Sequence, residues 1–282
     1  MNRGPAGADD RCVVFVHVPR TGGTTVEKVL DRKYRAHVLH LETLWSPLAS
    51  VGNLPFHERA AARVVAGHVH YGVHEYIPRE CDYVTVLRDP IERVVSMYRF
   101  IRGNPKHWLH DELLRSGVCL REFAETAADP GVDNQQTRLI AGIGSGELGQ
   151  PPSELGDNVL EAAKRHLRTF LVVGLTERFD ESFILLRHAM GWRLPVYMSV
   201  NAAEDSGSPS VDEDAIAAIR ERNRLDVELY DFGRELFAAA VARRGAPLRR
   251  ELAAFQALNR IPDRLGPRTS PRLRRLVRLL PR

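Results

Sequence analysis

Three groups of residues have types and spacings suited to chemistry. The first is Pro19-Arg20-Thr21-Gly22-Gly23-Thr24-Thr25, between the apolar run Cys12–Val18 and a helical pattern that opens at Val26. A turn that leaves a strand and enters a helix N-terminus gathers unpaired backbone N–H groups, which favour a phosphate. Gly22 and Gly23 let the backbone come close to the anion. Thr24 and Thr25 add hydroxyl donors, and Arg20 adds a fixed positive charge. The Walker pattern G-x-x-x-x-G-K-[ST] is absent, and the competing reading is a plain tight turn before a helix. The second group is Leu87-Arg88-Asp89-Pro90-Ile91-Glu92-Arg93, with Ser96 two turns along. An arginine with several donors beside a serine hydroxyl suits a phosphate monoester. Its plainer alternative is a surface ion pair of Arg88 with Asp89 or Glu92. The third is Gly67-His68-Val69-His70, where strand alternation would point both imidazoles at one cavity. An imidazole there can accept a proton from a weakly nucleophilic hydroxyl. A metal site with His74 as third ligand, or histidines that only satisfy core hydrogen bonds, are the alternatives.

Strands and helices must position these groups. Cys12–Val18 reads as a buried strand, followed by short strands at Ala36–His40 and Arg63–Ala66, a clear one at Tyr83–Leu87 and another at Phe170–Val173. After Leu87 the signals are dense. Asp89 caps a helix, Pro90 takes its first position, and Glu92 completes a capping box. Ile91, Val94, Val95, Tyr98 and Ile101 then recur at helical spacing. Further helices are expected over Asp180–Met190 and Asp212–Ala240, and loops over Gly142–Gly156 and Ala202–Pro209. Strands alternating with helices predict an α/β fold around a parallel sheet, with the three groups at its C-terminal edge.

The segments FVHVPRTGGTT and, about seventy residues on, VTVLRDPIERVVSMYRF closely resemble the sulfotransferases that use 3′-phosphoadenosine-5′-phosphosulfate (PAPS). That family includes the heparan and uronyl 2-O-sulfotransferases and bacterial relatives. Weaker resemblance runs through DNQQTR at 133–138, VGLTERF at 173–179 and LDVELY at 225–230, so it covers roughly Val13 to Phe237. The resemblance implies a P-loop NTPase-like three-layer sandwich and sulfuryl transfer from PAPS to a hydroxyl, leaving adenosine 3′,5′-bisphosphate (PAP). By position it assigns Arg20, Thr21, Gly22, Gly23, Thr24 and Thr25 to the donor's 5′-phosphosulfate end, and Arg88 with Ser96 to its 3′-phosphate. It assigns the catalytic base to His68 and gives Arg20 a catalytic part as well; His70, from the strand pattern, is kept as the substitute base. The family usually carries lysine where this chain has Arg20, thought to reach the bridging oxygen; arginine keeps the charge but is planar and bulkier. Asn134, Gln135, Thr137 and Arg138 are expected near the acceptor, with helix capping as the alternative. Tyr98, His107 and Trp108 are candidates for the cleft wall, against a core role. No metal is expected, because cationic side chains supply the charge.

Composition bounds the rest. The 282 residues, 44% hydrophobic and 27% charged, describe an ordinary globular chain. No run approaches the roughly 18 apolar residues of a membrane span, and residues 1–11 lack a signal-like apolar stretch. Cys12, Cys81 and Cys119 are scattered, suggesting neither a disulfide framework nor a zinc knuckle. The cytoplasm is the expected compartment. From Arg243 to Arg282 twelve arginines face only Glu251 and Asp263, a balance of +10 that leaves −6 of the chain's +4 to residues 1–242. A sulfotransferase domain over 1–242 with a basic, partly helical extension over 243–282 is therefore expected. Leu273, Leu276, Val277 and Leu280 give that extension an amphipathic pattern suited to a membrane surface, an acidic partner or the chain's own body. The acceptor partner implied is a sugar or glycolipid; no nucleic acid is expected. Two other functions fit less of the pattern: an ATP-using phosphotransferase, and a non-catalytic module that binds adenosine bisphosphate.

Overall fold

A computed structural model describes residues 11–43, 48–126, 129–143, 156–192 and 211–259. Five strands form one parallel sheet in the order β2-β3-β1-β4-β5. These are β1 (Cys12–Val16), β2 (Val38–His40), β3 (Val64–Gly67), β4 (Cys81–Leu87) and β5 (Val172–Leu175). Their valine-rich runs lack polar alternation, as a sheet covered on both faces requires. On one face lie α1 (Gly23–Tyr34) and α8 (Phe179–Ala189), where Val26 and Phe183 share a small apolar cavity with Phe15 and Val86. The other face carries the part of α10 (Arg224–Asn259) around Gly233, which lets the helix close on β4 and β5. A Cβ there would stand 2.7 Å from Leu87 and 3.7 Å from Val173. The three-layer α/β sandwich expected from the sequence is thus the observed fold.

Between β2 and β3 lies α2 (Phe56–Ala61). The β4–β5 crossover carries α3 (Pro90–Gly103), α4 (His110–Ser116), α5 (Leu120–Thr126), α6 (Gln135–Ala141) and α7 (Asp157–Thr169). Helix α3 starts as expected: Asp89 accepts from the N–H groups of Ile91 and Glu92, with Pro90 at the first position. The reciprocal half of the capping box is replaced, because the Asp89 N–H goes to Glu177 at 2.8 Å. A second core forms where α3 meets α4, α5 and α9 (Glu213–Arg222), around Val94, Tyr98, Ile101, Phe123 and Ile219. Tyr98 therefore belongs to the core and not to a cleft, its hydroxyl donating to the Val118 carbonyl at 2.7 Å.

Two expectations about the C-terminal third need correction. The single helix over Asp212–Ala240 is two helices, α9 and α10, separated at buried Asn223. Helix α10 also runs past residue 242, through a kink at Gly245 (φ 55°), to Asn259. Beyond the kink Leu248 and Phe255 are buried in the main core, and Glu251 pairs with Arg187 and His188 of α8. Residues 243–259 are thus packed on the body, so the boundary expected at 242 does not divide it. The amphipathic pattern at 273–280 and most of the two expected loops lie outside the described residues.

Polar contacts tie α3, α6 and α10 together. Arg93 and Asp226, both fully buried, stand 3.7 Å apart. Asp226 also accepts from the Thr137 N–H at 2.7 Å, the Thr137 hydroxyl at 2.8 Å and the Gln136 N–H at 3.2 Å. Removing one partner of such a pair strands the other charge in the interior, at about 3–5 kcal/mol. Asp226→Ala should lose stability of that order in chemical denaturation; a loss under about 1 kcal/mol would mean the pair does not hold these helices.

Candidate active site

Parallel strands bring all their C-terminal ends to one edge, where open α/β sheets bind ligands. From β1 come His17 and the turn 18–25, and from β2 comes Glu42. His68 follows β3, Arg88 follows β4, and Thr176 with Glu177 follows β5.

The turn is unusual at its backbone. Arg20 has φ 70° and Gly22 φ 82°, both in the left-handed region that costs a residue with a Cβ. Neighbours hold it there. Arg88 Nη1 donates to the Arg20 carbonyl at 3.1 Å, and the Thr176 hydroxyl lies 2.8 Å from the Thr21 carbonyl and 3.1 Å from that of Leu87. Helix α1 then opens at Gly23 with no acidic residue in its first turn, leaving the positive end of its dipole uncompensated. A Cβ on Gly23 would sit 1.9 Å from the His17 ring, and one on Gly22 would meet Phe179 at 3.0 Å. Both glycines are therefore needed for close packing as well as for anion approach. Thr21, which the resemblance places at the phosphosulfate end, is buried and turns its hydroxyl inward to the Val18 carbonyl at 2.8 Å.

The two groups expected from the sequence to bind anions meet here. Arg20 Nε and Nη2 donate to Ser96 Oγ at 3.1 and 3.0 Å, while its guanidinium lies 4.6 Å from the centre of the Phe100 ring. Arg88 is linked to the same turn through the Arg20 carbonyl. Burial, then the like charge of Arg88, pulls the Arg20 pKa down from its ordinary value. No carboxylate pairs with Arg20 among the described residues, and Arg88 has only the exposed Glu92 at 3.7 Å. Two guanidiniums with so little counter-charge, beside a helix N-terminus, fit a multiply charged anion.

His68 stands on the β3 side. Gly67 (φ 130°) ends the strand against the Leu41 carbonyl, so the chain turns and the expected alternation of His68 with His70 is lost. His68 is partly exposed, with Nδ1 3.1 Å from Glu42 Oε2 and its backbone N–H 3.3 Å from Oε1. Donation from Nδ1 leaves Nε2 with the lone pair of a proton acceptor. Burial pushes Glu42 up, but its hydrogen bond with His68 and the His68 and His17 charges outweigh this and hold the carboxyl below its usual range. The His68 ring lies 4.7 Å from that of His17, which is anchored on Glu27 at 2.9 Å. His70 is buried instead, its Nδ1 3.0 Å from the Tyr71 carbonyl, and His74 pairs with the Tyr83 hydroxyl at 2.8 Å. The three histidines thus have separate partners and do not form a ligand set.

The acceptor role expected for Asn134, Gln135, Thr137 and Arg138 is not what the structure gives them, because all four are buried in interior contacts. Asn134 Oδ1 accepts from the N–H groups of Leu225 and Asp226, capping α10. Gln135 accepts from Arg93, Thr137 donates to Asp226, and Arg138 pairs with Asp133. Of the alternatives, capping describes Asn134, whereas the other three fill an interior network and are not on the helix surface. Trp108 is exposed and neighbours His107, whose ring meets half-exposed Phe100 edge-on at 5.9 Å. Sequence reasoning missed Glu42, His17, Phe100 and Gln136. Phe100 had a signal, one helical turn beyond Ser96; Glu42, in a loop without a motif, had none.

The sequence profile of the galactose-3-O-sulfotransferase family matches residues 4–265. The chain belongs to this family. Among relatives, human heparan-sulfate 6-O-sulfotransferase 1 is 27% identical over 287 residues, covering 81% of this chain and 66% of that one. Mouse galactose-3-O-sulfotransferase 3 is 27% identical over 277 residues, covering 87% and 60%. The chain thus spans about two thirds of the length of the curated relatives it matches. A mouse sulfotransferase, SULT7A1, solved in complex with PAP, aligns over 89% of this chain and 90% of its own, at 16% identity and a TM-score of 0.36.

The contact of Gly23 with His17 gives a direct test of the turn. Gly23→Ala should lower the melting temperature and weaken PAP binding by at least about tenfold, because neither ring nor helix start can move aside cheaply. Titration calorimetry and thermal melts check this; unchanged PAP affinity would separate the turn from anion binding.

Proposed function

We propose that the protein is a PAPS-dependent sulfotransferase acting on a carbohydrate hydroxyl. The observation that carries this reading is that Ser96 and Arg88 are both hydrogen-bonded to Arg20, Ser96 to the Arg20 side chain and Arg88 to the Arg20 carbonyl, beside the start of α1. Family membership supports it, as do the relatives named for sulfation of galactose and of heparan sulfate.

The donor supplies an activated sulfuryl group on a phosphate leaving group. The N–H groups at the α1 start and the Arg20 guanidinium hold the 5′ end and stabilise negative charge growing on the leaving oxygen. Arg88 and Ser96 hold the 3′-phosphate, which requires the Arg20 side chain to leave Ser96. His68 Nε2 takes the acceptor hydroxyl's proton, and Glu42 fixes the ring. The acceptor is a sugar, free or on a lipid, and the exposed faces of Phe100 and Trp108 suit a pyranose better than a charged peptide. A peripheral membrane or acidic-partner contact of the basic tail rests on its sequence pattern alone.

A phosphotransferase is less well supported. Asp89, the nearest acid to a strand end, spends its carboxylate on capping α3, and no lysine stands in a Walker position. The non-catalytic alternative would show tight PAP binding with no transfer to any acceptor.

Two variants test the roles. His68→Ala should cut transfer by about 10²–10⁴-fold while PAP affinity in calorimetry stays within about threefold; parallel loss of both would remove its role as base. Arg88→Ala should weaken PAP far more than ADP, and an unchanged preference between the two would refute the 3′-phosphate assignment.

A further inference from the structure

Arg88 and Asp89 sit between the last residue of β4, Leu87, and the first of α3, Pro90. Proline brings no N–H, and the Arg88 backbone belongs to neither the sheet ladder nor the helix. Buried polar backbone groups need partners, so side chains must supply them. Gln136 of α6 supplies both for Arg88: its Oε1 accepts from the Arg88 N–H at 3.0 Å, and its Nε2 donates to the Arg88 carbonyl at 2.9 Å. One amide thereby makes the two bonds that an antiparallel strand residue makes with its opposite number.

We infer that Gln136 is a positioning residue for donor recognition, acting through Arg88 to set the nucleotide's 3′-phosphate grip. This rests on the proposed function of Arg88. The chemistry of the side chain is demanding. Glutamate at the same length has no donor for the carbonyl, asparagine is one methylene short, and an apolar residue offers neither group. Gln136 is itself fixed, almost fully buried, with its N–H on Asp226 at 3.2 Å; Asp226 in turn faces Arg93. The neighbouring Asp89 N–H goes to Glu177, which also accepts from the Tyr230 hydroxyl at 2.8 Å. The peptide groups on both sides of Arg88 are thus clamped from α6 and from the turn after β5. The guanidinium projecting from this clamp reaches the Arg20 carbonyl. A looser Arg88 backbone would cost the phosphate contact and relax the left-handed turn at Arg20, without removing either charge.

The test compares PAP with ADP, isomers in which the second phosphate sits on the 3′ oxygen in PAP and on the 5′ phosphate in ADP, so that their ratio reports on the 3′ grip separately from general nucleotide binding. Gln136→Met keeps the volume and removes both hydrogen bonds. It should lower the PAP-over-ADP preference by about tenfold, the scale of one hydrogen bond to a charged group. In an Arg88→Ala background the same substitution should leave the ratio unchanged, because the group it positions is gone. Equal weakening of PAP and ADP, or the same ratio change in both backgrounds, would overturn the inference and leave Gln136 a structural residue. If Arg88→Ala alone leaves the preference unchanged, the phosphate reading fails, a result distinct from failure of Gln136. Should Gln136→Met not fold, Gln136→Asn retains the amide and gives the same comparison. Amide hydrogen exchange on the intact protein adds a second measurement: the Arg88 N–H should be protected like the β4 ladder, and free exchange there would contradict the clamp.

Discussion

The guanidinium of Arg88 donates to the carbonyl of Arg20, and most of the site depends on that one bond. It joins the turn after β1 to the turn after β4, two segments 68 residues apart in the chain. It also helps keep Arg20 at a positive φ that a residue with a Cβ adopts only when its surroundings insist. From that backbone position the Arg20 side chain reaches across to Ser96 and lies over Phe100. The bond brings both guanidiniums to one electropositive edge.

The architecture behind this edge is economical. A wholly parallel sheet sends each strand's C-terminus the same way, so residues from five separate stretches of sequence arrive together. His68 and Glu42 come from one side of β1, Arg20 from the turn after β1 itself, and Arg88 from the other side. Behind them the buried contacts among Arg93, Asp226, Thr137 and Gln136 tie α3, α6 and α10 into a rigid support. Rigid support matters because catalysis by pre-placed charge and donors loses its advantage when those groups must reorganise.

Much of this was legible in the sequence, and the physical reasons are visible in particular residues. Strands such as Tyr83–Leu87 and the start of α3 were readable because apolar runs, Asp89 and Pro90 act locally. Arg20, Arg88 and Ser96 were readable because they sit in local motifs at strand–helix junctions. The segment around Asn134 misled because polar side chains look alike whether they face solvent or fill an interior network. Only the burial of Asn134, Gln135, Thr137 and Arg138 separates the two cases. His70 misled because strand alternation was extended past Gly67, where the backbone turns. Glu42 and the kinked continuation of α10 depend on tertiary contacts, with His68 and with Arg187, that no local pattern encodes.

In the proposed function the Arg20 turn holds one phosphate of a nucleotide, and Arg88 with Ser96 holds the other. A crystal structure with PAP bound measures this directly. The account predicts the 5′-phosphate on the N–H groups at the start of α1 and the 3′-phosphate on Arg88 and Ser96, with the Arg20 side chain displaced from Ser96. PAP density at any other edge of the sheet, or a 3′-phosphate without contact to Arg88, would contradict it.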